Sequence, residues 1–548
     1  MTLARRAPLA ALLVFLTAAL IADETHDHHH GPADLGNLGE VTFETSCKDA
    51  VRKDFSRAVA MMHSFWYAQA EQVFTKIAAD DPDCAMAQWG MAMSNYHPLW
   101  APPTPDELRR GHDAAVRAKA AGAPTPRERA FIDAIHGFYA DAEKVDHPTR
   151  AAAYAKAMEA LAASHPADDE AAIFHALALL GTASPGDKTY ATQKSAAEIL
   201  TRILPRHPGH PGVAHYVIHS YDYPALAALA LPAARTYAKI APGSPHALHM
   251  PSHIFTRLGL WDESIASNLA SAEKARRFIR EPKPGAAAFD ELHAIDYLVY
   301  AHMQQGENAK AKALVDKLLA VDGLAIDNAN FAAAYALAAV PARYTLERRQ
   351  WSEAAKLTLR PTNFDWKPYA YAEANLHYAR AIGAARSGDL NTAKSAVDRL
   401  EEIRQGLVAQ KNTYWAEQAE IQRMASQAWL AQGAGLKDEA LRLMRIAADR
   451  EDKTEKHPVT PGPIIPAREL LADMLLENDQ PAAALAEIER VLTVSPRRFS
   501  GTLLAARAAA GAGDAQKAQS HYRELLALAG KGTERPELEL ARAFVARQ

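Results

Sequence analysis

The sequence predicts an all-α protein built as a solenoid of helical hairpins, about twelve helix pairs running from about residue 50 to the C-terminus. Three observations predict it. Aromatic residues make up only 7% of an alanine-rich chain, which favours close-packed helices over a β-sandwich. From about Arg52 onward, helical patterns alternate with short polar or Pro/Gly breaks. Most specific is a recurring phrase of a small residue, a large one, an apolar one and a proline. It reads Ala70, Phe74, Ile77, Pro82, then Ala230, Ala234, Tyr237, Pro242, then Ala484, Ile488, Val491, Pro496. The small residue lets two helices cross closely, the large one fills the space beside it, and proline stops the second helix.

The 548 residues are 23% charged and 49% hydrophobic, a globular balance that excludes disorder for the bulk of the chain. A net charge of −4 argues against nucleic acid as a partner. Arg5 and Arg6 followed by the apolar run Leu9 to Ala22 read as a secretory signal over residues 1–22. That run is short for a membrane span, and Ala19 and Ala22 suit a signal peptidase, although an uncleaved anchor is the alternative. The mature chain is then expected in the periplasm or outside the cell, with no membrane span after cleavage. Residues 23–45 read as a flexible tail in which His26, His28, His29 and His30 either hold divalent metals loosely or act as a polar spacer. Residues 46–330 form a divergent, His-rich part of the array, and 331–548 continue the same solenoid with more regular repeats.

Spacing refines the repeat. Ala230 to Ser264 and Ala484 to Ala518 are each 34 residues, while Ala311, Ala354, Ala393 and Ala440 stand 39 to 47 apart. Gly259, Gly388 and Gly513 occupy the tight position of GLWDESI, SGDLNTA and AGDAQKA, the turns between helices. These features resemble the tetratricopeptide repeat (TPR) family, whose unit is a 34-residue helix–turn–helix. CAMAQWGMAMSNYHPLW and HALHMPSHIFTRLGLWDESIASN are similar to segments of a group of exported bacterial TPR proteins. The resemblance implies a right-handed superhelix whose concave groove is lined by the first helix of each pair and takes a peptide or protein partner. Positions 2, 5, 9, 12 and 13 of that helix share one face.

In this register His215 and His219 take positions 5 and 9 of one repeat, with Asp222 at 12. His249 and His253 take 5 and 9 of the next, with His246 at 2, and His293 and Asp296 take 2 and 5 of the one after. His63 and His97 fall at position 13 of the first two repeats. Nineteen of the 23 His lie outside the tail; random placement would put roughly three on the inner face, and eight fall there. An i, i+4 His pair presents two imidazoles to one metal ion, and a neighbouring helix can add a third, with a carboxylate orienting a ring from behind. The expectation is one inner-surface metal site of His215, His219, His246, His249, His253 and His293, with His63, His97, Asp222 and Asp296 as further candidates. It should lose metal below about pH 6, when His protonates.

The metal is expected to be copper or zinc; Met62, Met93 and Met303 at concave positions lean towards copper. The alternative is that these histidines are only polar groove surface. Pro251 either kinks its helix or starts it, which would leave His246 and His249 on a loop. Trp66, Trp89 and Trp100 cluster near the first repeats, where Trp89 is either a core residue or a stacking surface. Neither a Gly-rich phosphate loop, a G-x-S-x-G elbow nor a zincin motif is present. Two functions remain open: a binding protein holding a partner or a metal, or a metal-dependent enzyme of hydrolase or copper-oxidase type acting on a small molecule at the metal. In the second, Asp222 or Asp296 would serve as acid/base, and Tyr216, Tyr221 or Tyr300 would orient substrate. Export and the repeat register together predict a disulfide between Cys47 and Cys84, the only two cysteines.

Overall fold

A computed structural model describes residues 36–99, 102–278, 286–321, 323–324, 330–530 and 535–547. The expected signal over 1–22, the tail histidines His26, His28, His29 and His30, and Trp100 lie outside the described residues.

The first four hairpins are α1 (Asp49–His63) with α2 (Tyr67–Asp80), α3 (Ala85–Ser94) with α4 (Pro105–Ala121), α5 (Pro126–Tyr139) with α6 (His147–Ser164), and α7 (Asp169–Leu180) with α8 (Ala191–Ile203). The fifth joins α9 (Pro211–Tyr221) to α10 (Leu231–Ile240). The sixth has its first helix in two pieces, α11 (Pro245–His249) and α12 (Pro251–Arg257), against α13 (Trp261–Arg276). Next come α14 (Phe289–Gln304) with α15 (Asn308–Leu319), α16 (Asn330–Glu347) with α17 (Trp351–Ala354), and α18 (Ala370–Arg386) with α19 (Leu390–Ala409). The last three are α20 (Thr413–Gly433) with α21 (Lys437–Glu451), α22 (Ala467–Glu477) with α23 (Pro481–Val494), and α24 (Phe499–Gly511) with α25 (Ala515–Ala529); α26 (Glu537–Ala546) closes the end. Each helix packs on the next along the chain. The fold is the all-α solenoid of paired helices that the sequence predicts. One departure is a parallel pair of two-residue strands, β1 (Ala286–Ala287) and β2 (Gly323–Leu324), which flank the α14–α15 hairpin.

Local chemistry explains the boundaries. Thr104 caps α4 in a reciprocal arrangement with Glu107, and Thr125, Asp146 and Ser244 cap α5, α6 and α11 through their side chains. The repeating phrase is core: Ala70, Phe74 and Ile77 of α2 and Ala484, Ile488 and Val491 of α23 are all buried. Phe74 fills the space left by Gly90 of α3, where any added side chain would overlap its ring. Gly259, at φ 67°, turns the chain into α13 against Pro496 and Arg497, so its left-handed backbone and close contact both require glycine.

Cys47 and Cys84 form the expected disulfide, with Cα atoms 4.8 Å apart. It ties the start of α1 to the start of α3, so the first two hairpins are joined covalently. Within residues 23–45, expected as a flexible tail, Leu38 and Phe43 are apolar enough to bury, while Gly36, Asn37, Glu40, Thr42 and Glu44 stay exposed. Phe43 stacks on Trp89, and the Gly243 N–H donates to the Asn37 carbonyl (2.8 Å).

Distant hairpins also meet. The end of α1 lies against α9, the Trp261 indole donates to the Arg497 carbonyl (2.9 Å), and the long link 452–466 between α21 and α22 crosses to α9, α14 and α16. No described helix is long and apolar enough to cross a membrane.

Candidate metal centre

Three consecutive first helices carry the six histidines named from the sequence. α9 supplies His215 and His219, α11 and α12 supply His246, His249 and His253, and α14 supplies His293. Pro251 breaks the helix between α11 and α12 without unwinding it. Met250 stays helical (φ −54°, ψ −35°) and its N–H donates to the His246 carbonyl (2.9 Å), so His249 and His253 remain on one face. All six side chains are buried rather than lining an open groove; the most exposed, His219, is at 8%.

The structure divides them into two sets of three, each with ligand nitrogens within 4.8 Å of one another: His215, His219 and His246, and His249, His253 and His293. In the first set, Nε2 of His215 lies 3.0 Å from Nε2 of His219 and 3.1 Å from Nε2 of His246. In the second, Nε2 of His249 lies 3.0 Å from Nε2 of His253. Tetrahedral ligation at about 2.0–2.1 Å would place two such nitrogens roughly 3.3 Å apart.

The outer nitrogens reveal where the protons sit. His215 Nδ1–H donates to the His63 carbonyl (2.6 Å), which only accepts. The Asn268 amide gives its N–H to the Ser264 carbonyl (2.8 Å), so its oxygen faces His249 and accepts that ring's Nδ1–H (2.6 Å). His253 Nδ1–H donates to the Asp222 carboxylate (2.9 Å). In these three rings the inward Nε2 therefore carries a lone pair. His249 and His253 point two lone pairs at each other across 3.0 Å, a repulsive arrangement unless a cation sits between them.

Burial holds the whole cluster uncharged. It lowers His215, His246, His249 and His293 well below the usual imidazole value and His219 to about 3, with neighbouring histidines adding to the effect. His253 is lowered by burial too, against the opposing pull of Asp222. Burial would raise the Asp222 carboxyl, yet Lys456 and Arg257 hold it well below the usual carboxylate range. Lys456 Nζ and Arg257 Nε each reach it at 2.9 Å, and burial brings the Lys456 ammonium down to about 8.

Of the further candidates, only Asp222 joins the cluster, as the support behind His253. His63 does not present its ring. Its Nε2–H donates to Glu170 (3.0 Å) and its Nδ1 accepts from the Tyr216 hydroxyl (2.9 Å). His210 completes that network: its Nδ1 accepts from the Val213 N–H, so its Nε2–H donates to Glu170 (2.9 Å). With every nitrogen committed, His63, His210 and Glu170 form a satisfied brace, and His63 serves the cluster through its carbonyl. Gly212 makes this approach possible, because a Cβ there would lie 2.6 Å from His63 Nδ1. His97 pairs with Glu107 (3.3 Å), and Asp296 pairs with Arg343 (3.3 Å), so neither carboxyl nor ring is given to the six imidazoles.

Several contributors were not read from the sequence. Phe65, just after α1, sets its ring against His215, His219 and His246 at 4.4, 5.4 and 5.3 Å. Tyr237 stacks on His215, and the Tyr297 hydroxyl lies 3.2 Å from His253 Nε2 and bonds to the Thr460 carbonyl (3.1 Å). Tyr216 and Tyr300, two of the three tyrosines expected to orient substrate, are instead bound to His63 and Arg498. The only signal for the 452–466 strap was its length and its four prolines, Pro458, Pro461, Pro463 and Pro466. Met93 accepts from the Tyr154 hydroxyl and Met303 packs in the core with Val299 and Leu292, so these methionines are structural. Trp89 is core as well, buried among Phe43, Phe131 and Phe174.

A cavity of about 470 Å³ adjoins the centre. Tyr371, Trp415, Gln422 and Glu451 line it, and Arg257 and Lys456 form the side towards Asp222; none of the six imidazoles is among its lining.

No protein-family model matches this chain, and no curated protein matches its sequence. Solved structures with some likeness include a tetratricopeptide repeat protein from Parabacteroides merdae (12% identity, TM-score 0.24, 65% of this chain and 97% of that one). Human IFIT1 in a dimer with m7Gppp-AAAA aligns at 11% identity and a TM-score of 0.38 over 89% of this chain and 92% of its own. The Cut9–Hcn1 hetero-tetramer of the APC/C aligns at 12% and 0.26 over 91% and 96%. The likeness is one of helical repeats and says nothing of ligand or partner.

Proposed function

We propose that this protein is an exported helical-repeat binding protein whose six-histidine cluster holds a transition metal, copper or zinc. The observation that carries the reading is the His249–His253 contact. Two inward nitrogens stand 3.0 Å apart while both outer N–H groups are committed to Asn268 and Asp222. A shared proton would relieve the repulsion between these two rings alone, whereas a metal ion would also engage His293, whose ring stands 4.3 Å from that of His249. The Cys47–Cys84 disulfide supports an oxidising compartment. The array of paired helices suits a protein or peptide partner on its surface.

A metal-dependent enzyme is the second reading, favoured by the cavity that shares Arg257 and Lys456 with the centre. It ranks second because Arg257 and Lys456, which pair with Asp222, and not an imidazole, form that side of the cavity. The test is elemental analysis of protein purified without an affinity tag, beside a His215→Ala, His249→Ala double variant. Bound copper or zinc lost in the variant at unchanged helicity supports the reading. Metal content equal in both overturns it.

A further inference from the structure

We propose that the cluster is a two-ion centre, with one copper ion held by His215, His219 and His246 and a second by His249, His253 and His293. The proposal deepens the metal reading above and rests on it.

Ring geometry separates the sets. Two imidazoles on one ion at about 2.0–2.1 Å place their ring centres roughly 4.5 Å apart when adjacent at right angles, roughly 5.2 Å at a tetrahedral angle and roughly 6.4 Å when opposite. Within sets, His215–His219 and His215–His246 stand at 4.7 and 5.0 Å, His249–His253 and His249–His293 at 4.9 and 4.3 Å, and His253–His293 at the opposite spacing of 6.4 Å. Across sets, His219–His253 and His246–His249 stand at 6.3 Å. A single ion serving all six rings would make His253 opposite His219. It would also make His253 opposite His293, from which it stands at 6.4 Å. No ring has two opposite partners on one ion, so the six rings fit two ions and not one.

The same distances favour copper. In the second set His249 is adjacent to both partners while His253 and His293 are opposite, a T-shaped array that leaves one position of a square open. Zinc prefers four ligands at tetrahedral spacing, whereas copper(I) accepts three imidazoles in such a T with the fourth position unfilled. Charge points the same way. Neither ligand set includes a carboxylate or thiolate, and the nearby Asp222 is already shared by Lys456 and Arg257. Copper(I) brings half the charge of zinc into this buried space, so two ions side by side repel less.

The experiment uses the full chain with His26, His28, His29 and His30 changed to asparagine, so that the tail holds no ions. It is loaded with copper(I) anaerobically, desalted and analysed for copper per chain, beside a parallel loading with zinc. The expected result is two copper ions, falling to one in His219→Ala and to one in His293→Ala with helicity unchanged. One copper per chain, abolished by either substitution, overturns the pair and leaves the metal reading standing. Zinc retained in place of copper overturns the copper assignment. Neither metal retained defeats the metal reading itself. Should a variant lose helicity, the parent stoichiometry decides alone: two supports the proposal, and one or none overturns it.

Discussion

Asp222 concentrates the electrostatics of the centre in one side chain: it accepts from His253 and is gripped by Lys456 and Arg257. Its role is to hold the His253 proton on the outer nitrogen. Asp222→Asn keeps the shape but lets the ring change tautomer, and metal affinity is expected to fall about 10- to 100-fold in a competition titration. Unchanged affinity would show that Asp222 only balances charge. The histidines also set a pH dependence. Burial holds His219 at about 3 in the folded chain against 6.5 unfolded, and its neighbours are lowered as well. Between those values the unfolded state binds more protons, so metal-free stability is full above pH 6.5 and is lost as pH falls below it. Urea midpoints measured from pH 7.5 to 5 should therefore decline. With these histidines lowered, a copper- or zinc-loaded sample dialysed at pH 5 should keep its metal, where ordinary histidines would release it below about pH 6; loss by pH 6 would contradict this.

Among the elements, α1 is the one whose position matters out of proportion to its length. Its last residue offers the carbonyl that orients His215, and Phe65 behind it covers the first set. The disulfide anchors its other end, closing a separation of 37 residues. Replacing both cysteines by alanine should cost about 4 kcal/mol of stability by the chain-entropy account, read from urea denaturation. The same variant should weaken the first set of histidines more than the second, because only the first leans on α1. Equal loss from both sets, followed by titrating His219→Ala and His293→Ala in this background, would disprove that link.

The molecule as a whole is held together by contacts between hairpins far apart in sequence. Arg498 is the clearest: fully buried, it meets Glu469 at 2.8 Å, Glu347 at 2.7 Å and the Tyr300 hydroxyl at 2.8 Å, joining α14, α16 and α22 to the start of α24. Arg498→Met would leave two buried carboxylates without their cation. The expected cost is about 3–5 kcal/mol, with a matching drop in melting temperature. A variant as stable as the parent would mean that these carboxylates take up protons or water at little cost. The strap 452–466 closes the same region, since Arg343 donates to the Pro463 carbonyl (2.7 Å) and Lys456 reaches Asp222.

From the sequence alone came the paired helices, the disulfide, the turn glycines and all six histidines. Each is a local or periodic property: spacing decides which side of a helix a residue occupies, and a repeat places like positions side by side. Hence His215 and His249, one repeat apart, were legible as neighbours. Only the tertiary structure decided that the six rings part into two sets, that His63 lends a carbonyl instead of a ring, and that Phe65, Tyr297 and Lys456 enclose the site. It also turned an expected open groove into a buried interior. The places of His63 and Lys456 depend on how hairpins separated by 150 residues or more approach one another, as His63 does Tyr216 and Lys456 does Asp222. No spacing rule along one helix carries that information, because it is set by the summed packing of every repeat in between.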